Sequence, residues 1–102
     1  MLAQSLSDIP GKEVAMATVE MAPGGSDPVH RHDAHVFVYM LEGEVIMQVE
    51  GGEEVRLAPG QTFYEAPSDV HVVGRNASDT EPARFLVSFV KNVGAPVLIP
   101  VE

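Results

Sequence analysis

The stretch that decides the fold is "PVHRHDAHVFVYMLEGEV", Pro28 to Val45. Its first half carries three of the chain's four histidines, His30, His32 and His35. Its second half runs into the apolar segment "HVFVYML", closed by "EGE" as a tight connection. His30 and His32 stand two apart, so an extended backbone sends both side chains from one face, as two adjacent ligands of one ion require. Imidazole suits Fe, Mn, Ni, Cu and Zn alike, so the pair does not select a metal. Exposed loops also carry histidine, and an i, i+2 pair arises by chance. Context has to decide.

Working outward, the rest of the chain reads as short strands between turns, with no sustained helical periodicity. Glu13 to Met21 ("EVAMATVEM") is the first long strand, ended by the loop "APGGSDP". His35 to Leu41 follows. Glu44 to Glu50 ("EVIMQVE") alternates, with Val45, Met47 and Val49 on one face and Ile46, Gln48 and Glu50 on the other. Gly51-Gly52 reads as a hairpin turn. "EEVRLAPG" and "QTFYEAP" are expected to pair with each other across a turn at Pro59-Gly60. Val70 to Val73, Arg84 to Lys91 and Pro96 to Val101 complete the set. Strands at this spacing imply an all-β antiparallel sandwich or barrel. "VFVYML" is apolar on both faces. One face can fill a barrel and the other then needs a cover, which points to a homodimer.

A length of 102 residues gives one domain with a modest core. The net charge of −9, with six scattered Lys and Arg, excludes a phosphate-neutralising stripe and disfavours anionic membrane surfaces. No apolar run is long enough to span a bilayer. Met1 to Pro10 has no basic start and no apolar block, so a cytoplasmic protein is expected; a mature exported form trimmed of its leader fits as well. The absence of Cys removes thiolate ligands and nucleophiles. Met16, Met21, Met40 and Met47 follow strand spacing and read as core fillers.

"GGSDPVHRHDAHVFVYMLEGEV" resembles the first conserved motif of the cupin superfamily: a Gly, five residues, His-x-His, three or four residues, a Glu, six residues and a Gly. Gly24, His30, His32 and Gly43 fall on those positions. "PGQTFYEAPSDVHVVGRNAS" is similar to the second motif through Gly60, Pro67, His71 and Asn76, although Pro67 and Asn76 each sit one place late and a second Gly is missing. Motif one thus covers about residues 24–43 and motif two about 60–76. The resemblance implies a jelly-roll β-barrel over a single domain, residues 1–102. It also implies one divalent transition metal (Fe, Mn, Ni, Cu or Zn) held by His30, His32 and His71 in the barrel mouth.

The pattern breaks at Val36, where the family's glutamate ligand would fall. His35, one place earlier, is a further candidate ligand, but alternation from Val36 turns it away with Phe37 and Tyr39 unless a bulge at Asp33-Ala34 re-aims it. Three neutral imidazoles leave coordination positions open and keep the ion's full charge, which favours anionic or enolate-like ligands. The loss of the glutamate is equally compatible with a protein that works without metal. Val36, Tyr39, Gln61 and Tyr64 are candidate pocket-lining residues, with Phe37 beside them. Tyr64 and Glu65 could each reach the pocket as acid/base or hydrogen-bonding groups; one of this adjacent pair must face out, and solvent is the expected home of the glutamate. Asp69 shares a strand face with His71 by alternation.

The family resemblance implies a metal-dependent enzyme of the dioxygenase, isomerase or decarboxylase type, acting on a small oxygenated or acidic organic molecule. The alternative is a non-catalytic module that holds a small ligand, with or without metal. A structural dimer with vestigial histidines is a third reading. Fold does not choose among them.

Overall fold

The computed structural model describes residues 2–26, 34–67 and 69–94, together with the backbone of residues 30–31 and 99–100. Among the described residues ten strands run in chain order: β1 (Leu2–Ser5), β2 (Lys12–Met21), β3 (His30–Arg31), β4 (Ala34–Glu42), β5 (Val45–Val49), β6 (Val55–Leu57), β7 (Thr62–Glu65), β8 (Val70–Asn76), β9 (Ala83–Asn92) and β10 (Ile99–Pro100). Among the described residues there is no helix. The strands form two five-stranded sheets, ordered β1-β2-β9-β4-β7 and β10-β3-β8-β5-β6, and every pairing is antiparallel. This is the jelly-roll barrel expected from the sequence.

Period-two alternation fixes which side chains fill the barrel. On β4, Val36, Val38 and Met40 are buried while His35, Phe37 and Tyr39 are exposed. The β4 parity read from the sequence is therefore the observed one. Phe85 and Val87 of β9 meet these residues, and Val45, Met47 and Leu57 close the core from the second sheet. Burying one such side chain contributes roughly 1.5–3 kcal/mol. Met21, Met40 and Met47 lie in this core, but Met16 is only half-buried because it alternates outward from Ala15. Ile46 is buried as well, so β5 is apolar on both faces over its first three residues.

Two strand expectations need correction. β6 pairs with β5 in the second sheet, whereas β7 pairs with β4 in the first. The Pro59-Gly60 turn thus carries the chain from one sheet to the other, with Gly60 at φ +88°, rather than closing a hairpin. β1, a four-residue edge strand exposed throughout, was not expected at all. The final apolar run is seen only as the backbone of Ile99–Pro100; the rest of Pro96 to Val101 lies outside the described residues.

The end of the barrel away from the histidines is closed by backbone-directed polar contacts. Asn76 is buried; its Nδ2 donates to the carbonyls of Met21, Ala22 and Glu81, and its Oδ1 accepts from Ser78 N. Gly43 sits at φ +71°, and a Cβ there would stand 2.7 Å from Pro82 O and 3.0 Å from Ala83 Cα. Two residues matching the family motifs therefore serve the fold itself.

Candidate functional site

The opposite end of the barrel holds the candidate site. On β7 alternation turns Phe63 and Glu65 inward and Thr62 and Tyr64 outward. The β4–β7 register sets Glu65 directly across from Val36. Glu65 is 3% exposed and Tyr64 48%, so the adjacent pair is disposed opposite to expectation. The physical reason lies across the barrel: a buried carboxylate needs a polar partner, and His71 Nδ1 stands 3.3 Å from Glu65 Oε1.

His71 reaches the interior through an irregularity. Asn76 pairs with Val45 and Gly74 with Met47, and all four are buried. Plain alternation from these positions would turn His71 outward. Between Gln48 and Val49 the register slips, so that β5 advances one residue while β8 advances two, and Val72 is the extra residue. This bulge returns His71 to the inner face, where it is 4% exposed. The Phe63 ring lies 6.4 Å from the imidazole, centroid to centroid, and forms the apolar side of its setting. Asp69 plays no part there. Its carboxylate accepts from Ala66 N and ties the turn between β7 and β8.

The β3–β8 ladder sets the backbone of His30 opposite His71. The side chain of His30 and the whole of His32 lie outside the described residues. Among the described residues no three His, Asp or Glu side chains converge as a metal-holding group. The described part of the site is the pair Glu65 and His71. In the next inward-facing row, two residues further toward the mouth, Lys91 is buried on β9 and paired with Glu13 of β2. The hydrogen bond from the Lys91 ammonium, reinforced by its charge, holds the Glu13 carboxyl below the ordinary glutamate range, against the opposing effect of burial. Neither residue stood out in the sequence.

The structure does not bring His35 to His71. His35 is exposed on the outer face of the first sheet, where its Nδ1 shares a 2.6 Å hydrogen bond with Tyr64 Oη. No register shift between β4 and β9 occurs near it, so the bulge that would have re-aimed it is missing from β4; the nearest shift lies between Met40 and Glu42. Of the candidate lining residues, Val36 alone faces the interior. Tyr39 and Tyr64 turn outward with the strand parity and line an external groove of about 510 Å³ with Phe37, Thr62, Leu86 and Ser88. Gln61 is exposed and caps its own turn, accepting from Ala58 N. Across this outer face run the rows Met16–Ser88–Phe37–Tyr64 and Thr18–Leu86–Tyr39–Thr62, with no charged residue in either.

A model of the Cupin domain matches residues 17–89, which span both sheets and the Glu65–His71 pair. The chain belongs to the cupin superfamily. Among solved structures, this cupin is similar to the DMSP lyase DddQ from Ruegeria pomeroyi, at 25% identity and a TM-score of 0.74, over 86% of this chain and 43% of that one. It is similar to an oxalate oxidase at 29% identity and a TM-score of 0.71, over 86% of this chain and 46% of that one. The polyketide cyclase RemF from Streptomyces resistomycificus shares the fold at 20% identity and a TM-score of 0.71, over 99% of this chain and 80% of that one. The cupin thus spans less than half the length of the first two. No curated protein matches its sequence.

Glu65 is the residue sequence reasoning assigned wrongly. The signal was present in part, since Phe63 and Glu65 share a strand face and Phe63 is apolar. A general preference for exposed glutamate outweighed it, because the strand that β7 joins could not be read from its turn.

Proposed function

We propose that this cupin is a single-domain metal-binding protein whose ligands include His30, His32 and His71. On this reading it is a metal-dependent enzyme acting on a small oxygenated or acidic organic molecule. The observation that carries it is the buried His71 beside Glu65, inside the barrel and opposite His30 in backbone register. Imidazole and carboxylate form a donor set that fits a divalent transition ion. Such an ion would act as a Lewis acid toward substrate oxygens. The chain's own part is to hold the imidazoles, to exclude water with Val36, Phe63 and Phe89, and to carry a cation, Lys91, near the mouth. The lyase, oxidase and cyclase among its structural neighbours support a small-molecule enzyme without naming the reaction.

The test is elemental analysis of protein purified without an affinity tag. Near-stoichiometric metal is expected, lost in His30→Ala and His71→Ala. Normal metal content in those variants would refute the ligand assignment.

A second reading is a binding module that holds a small ligand without turning it over. Val36, buried where the motif's glutamate would stand, favours it. A ligand that co-purifies in metal-free protein would establish it. On either reading the two uncharged rows of the outer face, with Phe37 at 48% and Tyr39 at 46% exposure, are covered by a second copy of the chain. Charge depletion with aromatic enrichment is the composition of an interface core.

A further inference from the structure

The family's glutamate ligand is missing from β4, yet the barrel interior still contains a carboxylate at that level. Val36 and Glu65 are direct partners across the β4–β7 ladder, and both are buried on the inner face. Directly opposed residues of an antiparallel pair have their Cβ atoms about 4.5–5.5 Å apart. That is close to the reach of a glutamate side chain, so a carboxylate from either strand sweeps much the same volume. We infer that Glu65 supplies the carboxylate ligand of the metal site, delivering from β7 the group that the family's motif delivers from β4.

Three observations converge on this. Glu65 faces His71 at 3.3 Å, so the carboxylate stands at the imidazole the motif assigns to the metal. Glu65 is only 3% exposed, so its carboxylate lies inside the barrel and not in solvent. Val36 leaves room as well: a valine opposite the glutamate is shorter than the residue it stands for, so the cross-strand pair holds one carboxylate and one small apolar group. The exchange keeps the donor count while moving the carboxylate by one strand. The site then carries one negative ligand, and the ion keeps less net charge than three neutral imidazoles would leave it.

The inference rests on the metal reading above, and its test separates the two. Metal-free full-length protein is titrated with Co²⁺, with affinity followed by calorimetry and ligand set by the visible absorption of the bound ion. Glu65→Gln, which keeps size and shape, is expected to change the spectrum and weaken Co²⁺ more than the roughly 10–100-fold typical of losing an outer partner. Moving the carboxylate back, in the double variant Val36→Glu with Glu65→Val, is expected to restore affinity to within about tenfold, whereas Glu65→Val alone stays weak. A Glu65→Gln protein with an unchanged spectrum overturns the inference, whether its affinity holds or falls, because Glu65 then acts only through His71. Failure of the folded double variant to recover overturns it too. Loss of Co²⁺ in His71→Ala but not in Glu65→Gln refutes this inference alone. Wild-type protein that takes up no Co²⁺ refutes the metal reading and this inference with it.

Discussion

Asn76 matches a motif residue, yet its surroundings assign it to the fold and not to the chemistry. Its two N–H donors serve the carbonyls of Met21, Ala22 and Glu81, at 3.2, 3.2 and 2.8 Å, and its Oδ1 receives Ser78 N at 2.9 Å. The residue is 4% exposed, so Asn76→Ala would leave these groups without their present partner in a place water reaches poorly. At about 1 kcal/mol net per hydrogen bond, and with one donor shared between two carbonyls, the loss is about 3 kcal/mol. For a domain of this size each kcal/mol moves the melting temperature by roughly 4–8 °C, giving a drop of about 12–24 °C. Asn76→Asp keeps the shape but sets a carboxylate against three carbonyl oxygens, and should cost at least as much at neutral pH. The assay is thermal unfolding by circular dichroism, run beside a Co²⁺ titration at a temperature where the variant is folded. A drop of under about 5 °C would refute the hydrogen-bond argument. Lost Co²⁺ affinity in the folded variant would refute the separation of fold from site.

Gly43→Ala forces a side chain into a positive-φ position where its Cβ meets Pro82 O at 2.7 Å; a loss of about 2–4 kcal/mol in chemical denaturation is expected, and a loss under 1 kcal/mol would show that the loop yields. Glu13 has its carboxyl held below the ordinary value of 4.5, so the stability it contributes is complete above that pH and is lost as pH falls through the depressed folded value. The stability gap between wild type and Glu13→Gln should therefore be steady at neutral pH and close only below about 4.5; a gap that closes above pH 6 would contradict the pairing with Lys91. Sedimentation at micromolar concentration should show a dimer that Tyr39→Glu, in one of the uncharged rows of the outer face, converts to monomer with its fold intact. A wild-type monomer would exclude the second copy as the cover of that face.

Much of this architecture is legible in the sequence because alternation is a local signal. "VFVYM" announces its inner and outer faces, and the structure places Val36, Val38 and Met40 inside. What is illegible is non-local or irregular. Pro59-Gly60 marks a turn, but nothing in those residues says that the strand after it joins the other sheet. Glu65 was misassigned for that reason, since its burial depends on the strand opposite it. His71 reaches the interior through the extra residue Val72, and a bulge breaks the parity by which a sequence is read. β1, with four exposed residues, carries no amphipathic pattern to detect.

The short turn at Ala66–Asp69 has a consequence for how the site assembles. Glu65 and His71 belong to opposite sheets but stand six positions apart in the chain, joined by one tied turn. Closing so small a loop costs little entropy. His30 arrives from far earlier in the sequence and is secured by the two-residue ladder of β3 on β8. With His30 as a ligand, as proposed above, the site has a locally tethered half and a half recruited over a distance. An ion met during folding would find the first half formed before the second, and pulling β3 away would open the site without dismantling the pair on the other side.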